Sequence, residues 1–161
     1  MMSPMGTRLT HEMPYDAPPD AVWEMLHTPA FRERVCEEMR MVRHDVRVAG
    51  PEVTIEQVQR ARGIPSFATR FVGDEVLIVQ HERWQSTRAE VTVTIPDKPG
   101  EMSGTADLTP TGAGTLEVVE MDVRVRVPVV GGRIEDLLAS LLRKALETEH
   151  RVGREWLAGR G

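Results

Sequence analysis

Apolar positions recur every second residue along most of this chain and every third or fourth residue at its end. From Gly6 to Met13, Thr7, Leu9, His11 and Met13 share one face while Arg8, Thr10 and Glu12 share the other, the pattern of a half-buried strand. Pro14, Pro18 and Pro19 are expected to break it. A short helix through Val22, Trp23, Met25 and Leu26 follows, and Thr28-Pro29 restarts the chain into a second one from Ala30 to Glu38. From Met41 the period returns to two. Val42, His44, Val46 and Val48 lead to a Gly50-Pro51 turn, and Val53 and Ile55 open the partner strand. Further strands are expected over Glu75 to Gln85, Arg88 to Ile95, Met102 to Leu108 and Thr115 to Val127. Between the third and fourth strands, Arg62 to Asp74 holds Phe67 and Phe71, four residues apart, and reads as a short insert docked on the body. Gly104 and Ala106 are small residues in mid-strand, suited to a strongly curved sheet where a helix or ligand approaches.

The chain closes on one long amphipathic helix, entered through Pro128 and the Gly131-Gly132 pair. Ile134, Leu138, Leu141, Ala145, Thr148, Val152 and Trp156 form its apolar stripe, widened by Leu137, Leu142 and Leu146. From Gly131 to Ala158 it would run roughly 42 Å at about 1.5 Å per residue. A helix that long must lie along a sheet, so the element order predicts an α+β layer fold. With 161 residues and no linker or repeat, residues 1–161 read as a single domain.

Composition removes several functions. The net charge is −5 and the twenty Lys and Arg are dispersed, so no nucleic-acid footprint exists. Three Trp, three Phe and one Tyr are too few for base-stacking platforms. The one cysteine, Cys36, rules out an internal disulfide, suits a reducing compartment, and reads as a small buried helix residue. The N-terminus has no apolar signal core and the densest apolar run is Val76 to Val79, so a cytoplasmic protein without a membrane span is expected. There is no nucleophile elbow, phosphate-cradling loop or dinucleotide fingerprint, and no cofactor is expected.

Three stretches carry a family resemblance. The junction Val125-Arg-Val-Pro-Val-Val-Gly-Gly-Arg-Ile-Glu-Asp-Leu-Leu continues through Ala145-Leu-Glu-Thr-Glu to Trp156-Leu157. Ala17-Pro-Pro-Asp-Ala-Val-Trp-Glu-Met-Leu with Thr28-Pro-Ala-Phe forms the opening helix pair, and Pro65-Ser-Phe-Ala-Thr-Arg-Phe-Val-Gly-Asp-Glu the middle segment. Together they resemble the helix-grip superfamily of START domains, polyketide cyclases and plant pathogenesis-related allergens (SRPBCC), in an uncharacterised bacterial domain-of-unknown-function branch. The resemblance implies a curved antiparallel sheet of about seven strands wrapped around the C-terminal helix, with an apolar cavity between them. It transfers no catalytic motif.

Candidate chemistry is sparse. His11, His44 and His81 lie on strands, and His11 and His44 share parity with apolar neighbours. They lack ligand spacing on one element, and the strands of His11 and His44 should lie at opposite ends of the sheet, so no metal site is expected. His11, His44, Glu82 and Glu120 are weak candidates for acid–base work if burial moves their pKa values. Glu82 lies on a largely apolar face and needs a partner, with Arg83 and Arg88 near it only in sequence. The reading that organises most residues is a carrier or sensor of a small apolar ligand such as a lipid, polyketide or isoprenoid. Its expected wall is Leu9, His11, Val46, Val53, Ile55, Val91, Val93, Ala106, Val119, Met121, Ile134, Leu138, Leu141 and Ala145. Nine methionines suit an adaptable interior. Two alternatives use the same patterning: a cyclase- or dehydratase-type enzyme, and a protein-interaction module with a collapsed cavity. The small hydrophobic ligand is the expected partner, and the chain would be a monomer or homodimer.

Overall fold

A computed structural model describes residues 6–61, 64–69 and 73–160. Seven strands form one antiparallel sheet: β1 (Thr7–Tyr15), β2 (Arg43–Ala49), β3 (Glu52–Arg60), β4 (Glu75–Gln85), β5 (Arg88–Thr94), β6 (Gly100–Pro110) and β7 (Thr115–Val125). Their spatial order is β1-β7-β6-β5-β4-β3-β2. Successive strands from β2 to β7 are hairpin neighbours, and β1 closes against β7 with Leu9 opposite Met121. Helices α1 (Pro19–Leu26) and α2 (Pro29–Glu38) cross from one sheet edge to the other. Each opens on a proline in its first turn, where no N–H is needed. Helix α4 (Gly131–Glu155) ends in a π turn over Trp156–Arg160. The expected α+β helix-grip architecture is therefore the observed one, a curved sheet holding the terminal helix.

The core lies between the concave face of the sheet and the three longer helices. Val22, Met25, Leu26 and Phe31 of α1 and α2 meet inward residues such as Met13, Val53, Ala89 and Val119. Strand burial alternates as period two demands; β5 reads exposed, buried, exposed throughout its length. Helix α4 is packed unevenly. Gly131, Ile134 and Glu135 are buried at its start, and Val152 and Gly153 near its close, with no fully buried residue between. At the far end, a Cβ on Gly153 would lie 2.9 Å from Tyr15 Cε1 and 3.1 Å from Met25 Cε, so the helix sits directly on both side chains. No helix among the described residues is long and apolar enough to cross a membrane.

Several expectations need correction. Pro14 does not end β1, which continues to Tyr15. The strand is an edge, and His150 Nε2 contacts the Pro14 carbonyl at 2.7 Å, so that residue's polar groups point off the sheet and no ladder donor is lost. The apolar stripe of α4 is rotated from the expected one: Leu138, Leu142 and Leu146 pack on the core, while Leu141 is 37% exposed. Strand β7 ends at Val125 rather than Val127. In the 62–74 insert a single helical turn, α3 (Ser66–Thr69), docks through Phe67, whose ring lies 4.0 Å under the Arg133 guanidinium. Phe71 lies outside the described residues.

Gly104 is needed for a reason other than an approaching helix or ligand. A Cβ there would sit 1.8 Å from the Glu120 carbonyl oxygen, because strongly curved β6 and β7 bring the neighbouring backbone into that space. Gly104→Ala should therefore destabilise the protein by about 3 kcal/mol in urea unfolding. Gly112→Ala, at a turn with open space around it, should change it by less than about 0.5 kcal/mol. Equal effects would refute the close-approach account.

Candidate functional site

Four charged residues sit where the periodicity of their own elements turns them inward. On β4, Glu82 follows the inward parity of Trp84; on β7, Glu117 lies between inward Thr115 and Val119. Glu149 continues the α4 stripe of Leu142 and Leu146 at helical spacing. Arg32 lies one turn before Val35 and Cys36 on the buried face of α2. Chain topology then brings these four elements together beneath the second half of α4.

Arg32 holds the group together. It is 2% exposed. Its Nε donates to the Leu26 carbonyl at 2.7 Å, Nη2 to Glu82 Oε1 at 2.7 Å, and Nη1 to Glu149 Oε1 at 3.2 Å. Glu82 receives two further donors: Gln80 Nε2 at 2.6 Å on Oε2 and Trp84 Nε1 at 2.9 Å on Oε1. Its acceptors are thus occupied by fixed partners. Glu117 is different. It is 3% exposed, and its Oε1 is buried with no hydrogen-bond partner. The Tyr15 hydroxyl is likewise buried and unpartnered.

Electrostatics follow from three carboxyls facing one guanidinium. Burial pushes the Glu117 carboxyl well above the ordinary range; Glu149 and Glu82 push it the same way, and Arg32 opposes them. Glu149 is raised too, first by burial and then by Glu82, against the pull of Arg32. Burial works against the charge on Arg32, but Glu82, Glu149 and Glu117 more than offset it. The Tyr15 phenol is pushed up by burial and by Glu117 and Glu149. Glu117 is accordingly the carboxyl of the cluster most strongly biased toward its protonated form.

Glu117 lines a small space between β4–β7 and α4, about 30 Å³ in volume. That is room for one or two waters. Gln80, Glu82, Glu117 and Glu149 form its polar end, and Val91, Val93, Ala106, Val119, Met121, Leu142 and Leu146 the rest. Of the expected wall residues, Val91, Val93, Ala106, Val119 and Met121 line this space. Leu9, Val53, Ile55 and Ile134 are buried elsewhere in the core, while Val46, Leu138 and Ala145 are half-buried and do not border it. Leu141 points outward.

The weak catalytic candidates scatter. His11 is half-buried on β1, its pKa lowered by burial and by Arg143 of α4. His44 lies on β2 opposite Gln57, at the other edge of the sheet, so the two cannot act on one atom. Glu120 takes the outer face of β7, one residue out of phase with Val119 and Met121. Only Glu82 reaches the cluster, and there it serves as an ion-pair partner. Sequence reasoning passes over Arg32, Glu117 and Glu149. The available signal is a charged residue on the apolar parity of its own element, which singles out Glu82 alone in the reading above. Cys36 is buried, its Sγ 3.7 Å from Gln57 Oε1, and burial pushes the thiol up to about 11, so it is unreactive near neutrality.

A curved antiparallel sheet gripping a terminal helix is the helix-grip fold, and solved structures share it. The chain belongs to the family described as protein of unknown function DUF2505, matched over residues 10–157. An uncharacterized protein of Mycobacterium tuberculosis (strain H37Rv), Rv0481c, is 26% identical over 113 residues, covering 66% of this chain and 65% of that protein. The matched region thus spans about 65% of the length of such curated relatives. Among solved structures, TTHA0849 from Thermus thermophilus superposes with a TM-score of 0.69 at 20% identity, over 96% of this chain and all (100%) of that one. The di-domain ARO/CYC StfQ of the steffimycin biosynthetic pathway gives 0.70 at 12% identity, over 96% of this chain and 52% of that one. Ara h 8.0201 gives 0.65 at 8%, over 95% and 98%. These likenesses are of fold.

Two outcomes test the cluster. Arg32→Met should cost about 3–5 kcal/mol of stability near neutral pH, because it strands buried carboxyls without their cation; a loss below about 1 kcal/mol in urea unfolding would sink that account. The second concerns Glu117, whose folded value lies above its unfolded one. Its stabilisation is whole below the unfolded value and is lost as the pH rises through the folded one. Glu117→Gln removes this dependence. The stability of the variant relative to the parent should therefore increase between about pH 5 and about pH 8, and parallel curves would contradict it.

Proposed function

We propose that the protein binds a small, mainly apolar ligand between the sheet and α4, with the ligand's polar group against Glu117, as a cytoplasmic carrier or sensor. One observation carries the reading: an unpartnered, buried carboxyl oxygen on a residue that lines a space with a polar end and otherwise apolar walls. A buried polar atom left unpaired costs about 1–3 kcal/mol, which a ligand atom would recover. Ligand sites are mostly apolar with a few convergent polar groups, and this is that arrangement in small.

At about 30 Å³ the space is far below the roughly 300 Å³ of ordinary ligand pockets, so uptake requires it to widen. The packing of α4 supports this. The helix is anchored by buried residues at both ends, while Leu142 and Leu146, which cap the space, are only half-buried. Their displacement enlarges the space without unseating Ile134 or Val152.

A second reading draws on the Glu117–Glu149 pair. Two carboxyls whose pKa values are both raised, one of them tied to Arg32, suit acid–base chemistry of the cyclase or dehydratase kind. Glu117 would be the proton donor in that case. Binding comes first in either reading.

Binding is testable with a neutral probe, hexan-1-ol, followed through methyl NMR. Shifts should centre on Val91, Val119 and Leu146. Leu146→Ala, which widens the space by removing its cap, should tighten the interaction several-fold, whereas Leu141→Ala on the exposed face should leave it unchanged. Native mass spectrometry of protein from its own host should show a bound small molecule. An apo mass together with probe shifts confined to the outer surface would overturn the reading.

A further inference from the structure

We infer that the ligand of this site carries one positive charge: it is a small apolar molecule bearing a protonated amine, taken up against Glu117 and Glu149. The inference rests on the ligand-binding reading above and adds the charge and chemical class of the ligand.

The argument is one of charge and geometry. The polar end of the space is made by Glu82, Glu117, Glu149 and Gln80, and none of the described residues lining it is a cation. The guanidinium beside it already has a partner on each of its three nitrogens, the Leu26 carbonyl, Glu82 and Glu149. An anionic head group, whether carboxylate or phosphate, would therefore meet three carboxyls and no free cation. A neutral group would satisfy the Glu117 oxygen but bring no second cation to a cluster in which Glu82 and Glu149 already share one guanidinium. A protonated amine does both, since it has several N–H donors and supplies the second positive charge that the cluster lacks.

Groups facing Glu117 come from every element packed on it: Arg32 from α2, Glu82 from β4, Glu149 from α4 and Tyr15 from β1. In the free protein Glu117 is biased toward its protonated form, because burial and two neighbouring carboxyls outweigh one guanidinium. When an alkylammonium binds, the Glu117 O–H bond breaks and its proton passes to solvent, leaving a carboxylate paired with the ammonium. The ammonium arrives already protonated, so net uptake of one cation releases one proton.

The test uses three probes of equal chain length: hexylamine, hexan-1-ol and hexanoate. Each is titrated into the full chain and into Leu146→Ala by calorimetry, near neutral pH, in two buffers of different ionisation enthalpy. Methyl shifts at Val119 and Leu146 locate the binding. The expected result is hexylamine at least about tenfold tighter than hexan-1-ol, with about one proton released per amine bound and no binding of hexanoate. In Glu117→Gln, which keeps the shape but not the charge, the amine preference and the proton release should vanish while hexan-1-ol binds as before. Hexan-1-ol binding as tightly as hexylamine, amine binding without proton release, or hexanoate binding best would each overturn the inference and leave the ligand-binding reading intact. Failure of all three probes to bind either protein would overturn both. If Glu117→Gln does not fold, the probe ranking and proton count of the parent decide alone.

Discussion

A single buried guanidinium organises this molecule. Arg32 reaches from α2 to the last turn of α1, to β4 and to α4, so it joins the opening helix pair, the far half of the sheet and the terminal helix through one group. Burying such a charge costs several kcal/mol unless its partners are well placed. That cost makes the arrangement specific, because any packing of α2 or α4 that misses Glu82 or Glu149 leaves a charge unpaired. Apolar contacts alone would tolerate α4 sliding or rotating on the sheet; the ion pair to Glu149 does not.

The same guanidinium sets the state of its neighbours. Glu82 takes Arg32, Gln80 and Trp84, so both of its oxygens have fixed partners. Glu149 shares the remaining arm. Glu117 is the carboxyl left over, pushed toward its protonated form by burial and by the two others beside it. A structural triad and a free acid thus come from one imbalance, and the free acid is what faces the space under the helix. The helix above it is held at its two ends and packed loosely between them. Rigidity therefore sits in the frame of the site, and freedom to yield sits in the Leu142 and Leu146 caps.

Much of the architecture was legible in the chain. Period-two runs located all seven strands, the two Pro-initiated helices followed from their capping pattern, and the long periodic segment after Gly131 announced α4. Local rules suffice for these because each element's pattern reports which face it buries. Their misses share one cause. Pro14 remains in β1 because that strand lies at an edge, and Gly104 is needed because β7 curves against β6. Neither neighbour is visible from the residue's own segment.

The sequence by itself determined the elements, their inward faces and the class of fold, since 2.0 and 3.6 residue periods are properties of a segment alone. Tertiary structure decided the site. Arg32, Glu82, Glu117 and Glu149 stand far apart along the chain and on four different elements, and each alone reads as an oddity on an apolar face. Only the packing of α2 and α4 on the sheet shows that three carboxyls share one cation. The physical reason is that charge compensation is a sum over neighbours in space. Which carboxyl is satisfied and which is left free cannot be settled by any stretch of sequence that contains only one of them.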